Sequence, residues 1–321
     1  MINDFKNTIL QHIGNTPLIS LKNITRGEEF EIFAKAEFLN PSGSLKDRIA
    51  IRMIGGAEKS GCLKKGGTII EASTGNTAIA LSFVGTLKGY KVIIFIPEKT
   101  ASKERIEILK KYGADVRTVS LVPKGEDELY DASVHGGFYE IPGRMMCRDM
   151  EKQPDIWWAR QFSNPDNVAA HRDGTGKEID EQMSGKIDAV VASIGTGGTF
   201  LGLAQALEKH SPLLIAVEPT GHPMVSAKLK NYPIIEGITD GIVYDIVQKD
   251  LLDKVLVIND EEAIAMTRRL IREEGLFCGI SSGANVAAAM RIGREISNCK
   301  RIITVLPDSY YRYLTSEHYT T

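Results

Sequence analysis

From Glu31 onward, short continuous apolar runs alternate with stretches of helical period. The apolar runs predict strands over 32–37, 68–71, 92–97, 114–119, 189–194, 214–218, 255–258 and 302–306. Runs of this kind suit strands covered on both faces. Between them, 102–112 and 261–274 carry helical patterns. Strand and helix in alternation predict an α/β chain, built from mostly parallel sheets with helices on both sides. In such folds the binding loops lie at the carboxyl ends of the strands. Before Glu31 the pattern reads as a helical start, a turn at Ile13-Gly14-Asn15-Thr16-Pro17 and a short strand over 18–21. Residues 121–155 break the rhythm with Pro123, Gly125, Gly136, Gly137, Pro142, Gly143 and Pro154. That stretch is expected to be a long irregular crossing or a partly ordered lid.

Four stretches at strand ends carry candidate chemistry. In Asn40-Pro41-Ser42-Gly43-Ser44-Leu45-Lys46-Asp47-Arg48, Pro41 and Gly43 end a strand, and Ser42 or Ser44 can cap the helix that follows. Lys46 then falls in a first helical turn, where the dipole disfavours an ammonium. It is either a surface lysine or one with a lowered pKa that forms a Schiff base. Ser73-Thr74-Gly75-Asn76-Thr77 sets hydroxyls, an amide and open N–H groups at a helix start. It is either a cap with a turn glycine or a clamp for a carboxylate. Gly195-Thr196-Gly197-Gly198-Thr199 follows the 189–194 strand and opens another helix. The run is either a glycine turn or a phosphate cradle, since orphan N–H groups and dipole both favour an anion. It is not G-x-G-x-x-G, because Leu201 takes the third glycine's slot, and no Lys-Ser/Thr follows it. Pro307-Asp308-Ser309 closes the last strand, and Gly279-Ile280-Ser281-Ser282-Gly283-Ala284 turns into an Ala- and Val-rich helix.

Composition removes several alternatives. The 321 residues are 43% hydrophobic and 25% charged, with formal net charge -2, so no global field recruits nucleic acid or anionic membrane. Basic clusters with interleaved aromatics are missing, which argues against nucleic-acid binding. No apolar run is long enough to span a bilayer, and the first residues lack a signal-peptide pattern, so the expected location is cytoplasmic. Cys62, Cys147, Cys278 and Cys299 are scattered without zinc spacing, and no metal site is expected.

Taken together and in this order, these motifs resemble the cysteine synthase and cystathionine β-synthase family of fold type II pyridoxal phosphate enzymes. The resemblance runs from Ile13-Gly14-Asn15-Thr16-Pro17-Leu18 to Arg312-Tyr313-Leu314. It implies a small mobile domain over 43–151, a large domain over 1–42 and 152–321, and a cofactor in the cleft between them. Lys46 would carry the cofactor as a Schiff base and serve as general base at Cα. Gly195, Thr196, Gly197, Gly198 and Thr199 would bind its phosphate, Asn76 its ring hydroxyl, and Ser309 its pyridine nitrogen, with Asp308 as rival. Ser73, Thr74, Gly75 and Thr77, with Gln161 from Gln161-Phe162-Ser163-Asn164-Pro165, would hold the substrate carboxylate. Asp240, in Glu236-Gly237-Ile238-Thr239-Asp240-Gly241, is a turn aspartate or faces the second substrate. The sequence departs from the family at the inverted Ser73-Thr74, at Gly174-Thr175-Gly176, where a threonine is missing, at Asp240 and at Tyr310-Tyr311.

The implied activity is β-replacement on an L-serine derivative through an α-aminoacrylate. O-acetylserine or O-phosphoserine with sulfide leads. Cystathionine-type or cysteine-consuming replacement, serine/threonine ammonia elimination, and a non-catalytic binding role are the alternatives. The expected partners are an amino acid, a thiol or sulfide, and a second copy of the chain.

Overall fold

A computed structural model describes residues 8–73, 75–97, 102–120, 141–220 and 251–314. Thr74, Asp240 and the 236–241 loop lie outside the described residues. The chain divides into two compact units, one of Met1–Ile13 with Lys46–Asn167, the other of Gly14–Leu45 with Val168–Thr321.

The first unit is built on a four-stranded parallel sheet. Its strands are β3 (Thr68–Ala72), β4 (Lys91–Pro97), β5 (Asp115–Val119) and β6 (Ile156–Trp158), in the order β5-β4-β3-β6. Helices α1 (Lys46–Ser60), α2 (Asn76–Leu87), α3 (Lys103–Lys111) and α4 (Ile141–Met150) belong to the same unit. The stretch expected to be irregular is thus ordered at its far end. Pro142 stands in the first turn of α4, where its missing N–H costs nothing. An added Cβ on Gly143 would meet Cβ of Ala72 at 2.9 Å and Cβ of Phe95 at 3.2 Å, so the glycine lets α4 lie close on β3 and β4. Cys147 is buried in the resulting core with Ile70, Phe95 and Trp158. The unit reaches beyond residue 151 because β6 pairs with β3, Ile70 opposite Trp158.

The second unit is a six-stranded sheet. Its strands are β1 (Leu18–Ser20), β2 (Glu31–Ala36), β7 (Ala189–Ser193), β8 (Leu213–Pro219), β9 (Lys254–Ile258) and β10 (Arg301–Leu306), ordered β1-β2-β10-β7-β8-β9. All pairs are parallel except β1 with β2. Helix α5 (Pro165–Ala170) straddles the boundary between the units. A single π-turn (His171–Gly176), α6 (Lys177–Gln182), α7 (Gly198–Ala206), α8 (Asp260–Glu274) and α9 (Ile280–Glu295) complete the second unit. Almost every residue of α9 from Ile280 to Met290 is buried, which explains why it lacks a polar face. Gly283 lets it approach α8: a Cβ there would sit 2.1 Å from the Ala263 carbonyl oxygen.

No helix among the described residues is long and apolar enough to cross a membrane. Nor do they hold a group of three metal-type side chains.

Candidate active site

The segment before Lys46 is fixed by a buried polar network. Thr16 Oγ1 donates to Glu37 Oε1 at 2.7 Å, and Asn40 Nδ2 donates to Glu37 Oε2 at 2.9 Å. Asn40 Oδ1 in turn accepts from the Gly14 N–H at 2.9 Å. Lys35, fully buried, donates to the Thr16 carbonyl at 2.6 Å and pairs with Glu178 at 2.7 Å. The Gly14-Asn15-Thr16-Pro17 turn therefore braces the strand exit that leads to the lysine. A buried network of this kind holds a loop only because each polar group finds a partner. Further along, Gly43 takes φ +86, a conformation that other residues resist. The Leu45 N–H donates to the Pro307 carbonyl at 2.9 Å, Ser44 bridges to Asp308, and Arg312 donates to the Ser42 carbonyl. Lys46 itself is half-buried and is the first residue of α1.

In the first unit, β3 delivers Ser73 and Gly75 to the start of α2. Gly75 is the N-cap, and no side chain caps the helix. The Gly75 N–H lies 3.3 Å from Ser73 Oγ. Thr77, buried, donates its hydroxyl to Gln161 Oε1 at 2.6 Å. Two residues 84 apart in the chain, both read from the sequence as carboxylate ligands, are thus in direct contact. Asn76 opens α2 beside them.

In the second unit, the 195–199 loop joins β7 to α7. Gly197 is the N-cap with φ +82, again with no side-chain cap. The Gly198 N–H lies 3.4 Å from Thr196 Oγ1. Thr199 Oγ1 lies 3.2 Å from Nε2 of His171, which is fully buried and whose Nδ1 is 2.9 Å from Thr175 Oγ1. The threonine that survives in Gly174-Thr175-Gly176 is thus engaged with the histidine behind the glycine loop. His171 stands four residues before Thr175, and that spacing is the sequence signal that pairs them.

These bare helix starts contrast with α3 and α8. Ser102 caps α3 by accepting from the Arg105 N–H, and Asn259 caps α8 by accepting from the Glu262 N–H. At α2 and α7, glycine stands at the N-cap, so no cap side chain at that position competes with an anion for the helix start.

Pyridoxal phosphate offers a phosphate, a ring hydroxyl and a ring nitrogen. The uncapped α7 start with its two threonines suits the first, and the Asn76 amide suits the second. For the third, Ser309 Oγ accepts from the Tyr311 N–H at 3.3 Å and keeps its own proton to donate. Ser281, in the adjoining turn that Cys278 bridges to Ser309, is buried. Asp308, the rival, is buried and its carboxylate accepts from Tyr313 OH, with Gly279 leaving room for it. The residues present fit the group.

Comparison with known proteins decides the family. A profile described as "Pyridoxal-phosphate dependent enzyme" matches residues 9–308. The chain belongs to this family. The chain is 36% identical over 315 residues to a cysteine synthase of Staphylococcus aureus, with 97% of this chain and 96% of the relative covered. It is 38% identical to a cystathionine beta-synthase of Dictyostelium discoideum, where 96% of this chain spans only 60% of the relative. A cysteine synthase of Entamoeba histolytica superposes with TM-score 0.86 at 34% identity, covering 98% of this chain and 91% of that one. The α/β fold, the cofactor class and an enzyme of the cysteine synthase type are therefore those read from the sequence.

Three of the four cysteines are buried. Cys278 lies deep in the second unit, where burial pushes its thiol up to about 12 with Asp308 adding to the rise, and Cys299 is pushed up to about 11, again mainly by burial. Only Cys62 is exposed. A thiol reagent such as dithionitrobenzoate is expected to modify one cysteine quickly in the native protein and four after denaturation. Rapid modification of a second thiol would contradict this burial.

Proposed function

We propose that the chain carries out β-replacement on an L-serine derivative and makes cysteine from O-acetylserine or O-phosphoserine and sulfide. The observation that carries this reading is the pair of glycine-capped helix starts at 75–77 and 197–199, each at a strand end, each with hydroxyls, and neither closed by a side-chain cap of the kind seen at α3 and α8. One suits a carboxylate, the other a phosphate. Relatives named cysteine synthase that match the chain along almost its whole length support the same activity.

Bound pyridoxal phosphate would supply an electron sink that acidifies Cα–H and lets the β-substituent depart. The protein would supply the rest. Gly195, Thr196, Gly197, Gly198 and Thr199 would hold the phosphate. Asn76 would hold the ring hydroxyl, and Ser309, with Ser281 as rival, would face the ring nitrogen. A neutral hydroxyl there leaves the nitrogen largely unprotonated, which favours elimination from an activated leaving group. Ser73, Thr74, Gly75, Thr77 and Gln161 would hold the substrate carboxylate and so aim Cα–H at the base. Lys46 would hold the cofactor covalently, then take the Cα proton once the substrate amine displaces it. Asp240 would contact the incoming nucleophile. We further propose a cytoplasmic homodimer, which light scattering at micromolar concentration tests.

The deciding experiment offers O-acetylserine, O-phosphoserine, serine and cysteine separately to loaded enzyme, then adds sulfide. Cysteine released from one activated serine supports the reading. Sulfide released from cysteine with a second thiol moves the activity to cysteine-consuming replacement. Pyruvate and ammonia without any nucleophile point to ammonia elimination.

A further inference from the structure

The carboxylate of Glu71 is absent from the roles above, yet it lies directly beneath the proposed substrate clamp. It is 1% exposed, at the carboxyl end of β3. Its Oε1 accepts from the Ala72 N–H and from Trp158 Nε1–H, each at 2.9 Å. Its Oε2 accepts from the Gln161 N–H at 3.0 Å. All three partners are donors, so the group is built to sit there as a carboxylate. A protonated acid would turn its own hydrogen toward N–H groups. Burial raises the pKa of this group, while Trp158, Gln161, Ala72 and the charge of Arg144 pull against the rise.

An ionised carboxylate at this depth is costly unless its charge is fully hydrogen-bonded. What the cost secures is the position of Gln161. That residue is gripped at four atoms. Its N–H goes to Glu71, and its carbonyl accepts from Asn167 Nδ2 at 2.7 Å. Its Nε2 lies 3.4 Å from the Ala72 carbonyl, and its Oε1 accepts the Thr77 hydroxyl at 2.6 Å. Of the four contacts, only the one with Glu71 is charge-assisted, and such bonds are roughly twice as strong as neutral ones. Through Trp158 and Gln161 the same carboxylate also ties the end of β6 to the end of β3, the two strand ends that carry the clamp.

We propose that Glu71 is a positioning residue for substrate recognition: its buried carboxylate fixes Gln161 against Thr77 and thereby sets the affinity for the amino-acid substrate's carboxylate. The inference rests on the clamp assignment made above. It implies that Glu71 acts on amino-acid binding and not on cofactor binding, since none of its partners, Ala72, Trp158 and Gln161, is assigned to the cofactor.

The test is Glu71→Gln in the holoenzyme. An amide cannot accept from all three donors at once, because its NH2 must face one of them. KM for the amino-acid donor is expected to rise about tenfold or more, with kcat within about threefold of wild type. Cofactor affinity, titrated on the apoprotein by absorbance, is expected to stay unchanged. In a Gln161→Ala background the same substitution should add no further rise in KM, because the group it positions is gone. A kcat and cofactor affinity that fall in step with KM, or an undiminished effect in the Gln161→Ala background, would show a merely structural carboxylate and overturn the proposal. If Gln161→Ala and Thr77→Val alone leave KM unchanged, the clamp assignment itself fails, and this proposal with it. Should Glu71→Gln not fold, Trp158→Phe removes one donor to Oε1. A rise in KM of about two- to threefold at constant cofactor affinity would then support the proposal, and an unchanged KM would overturn it.

Discussion

Replacing Lys46 with alanine will leave a folded protein that binds its cofactor only noncovalently and turns over at least ~10³-fold more slowly. The fold survives because Lys46 is the first residue of α1 and half-buried, while the helix is anchored by Ile49, Ala50, Met53 and Ile54 beyond it. The backbone before it is tied at Leu45 and Ser44. The loss is expected in turnover because one amine is asked to do two things, to carry the cofactor and to move the Cα proton. Lys46→Arg should be nearly as inactive, since it keeps the charge but offers no nucleophilic amine at neutral pH. Borohydride treatment followed by peptide mass spectrometry checks the assignment directly. Wild-type protein should carry the reduced cofactor on the peptide containing Lys46, and the alanine variant should carry none. A cofactor adduct on another lysine would refute it.

Gly202→Val will destabilise the second unit by about 3 kcal/mol and weaken cofactor binding with it. Gly202 is where α7 packs on the π-turn. A Cβ there would lie 2.6 Å from His171 Cβ, 2.8 Å from the Arg172 nitrogen and 2.8 Å from the Val168 carbonyl oxygen. Two of these neighbours are backbone atoms and cannot swing aside. Relief requires α7 to move, and its first turn carries Gly198 and Thr199. The thermal midpoint should fall by roughly 5 °C or more, and the apoprotein should need more cofactor to saturate. Gly55 is the contrast. It lies inside α1 with nothing within 4 Å of an added Cβ, so Gly55→Ala should raise stability by about 0.5–1 kcal/mol. Equal effects at the two glycines would mean that helix propensity, not packing, governs both.

The strands were the most legible part of the chain. β3, β4, β7, β8 and β10 are continuous apolar runs because both faces are covered, and that pattern needs no knowledge of neighbours. β6 was missed because three residues following Pro154 and Asp155 carry too short a signal. Helix α4 was missed because Pro142 and Gly143 read as breakers, when one sits harmlessly in a first turn and the other makes room against Ala72 and Phe95.

The same division runs through the site. Glycine-rich turns at strand ends, the lysine after a strand exit and the order of the motifs are local properties, so the sequence alone determined the fold class, the cofactor and the type of enzyme. Which groups face one another is not local. That Thr77 meets Gln161, that Asp308 turns to Tyr313, and that Glu71 lies under the clamp depend on pairings between residues far apart in the chain. A buried carboxylate in an apolar strand reads in sequence as a misfit. Only the folded sheet, by bringing Trp158 and Gln161 alongside β3, supplies the N–H groups that make its burial tolerable.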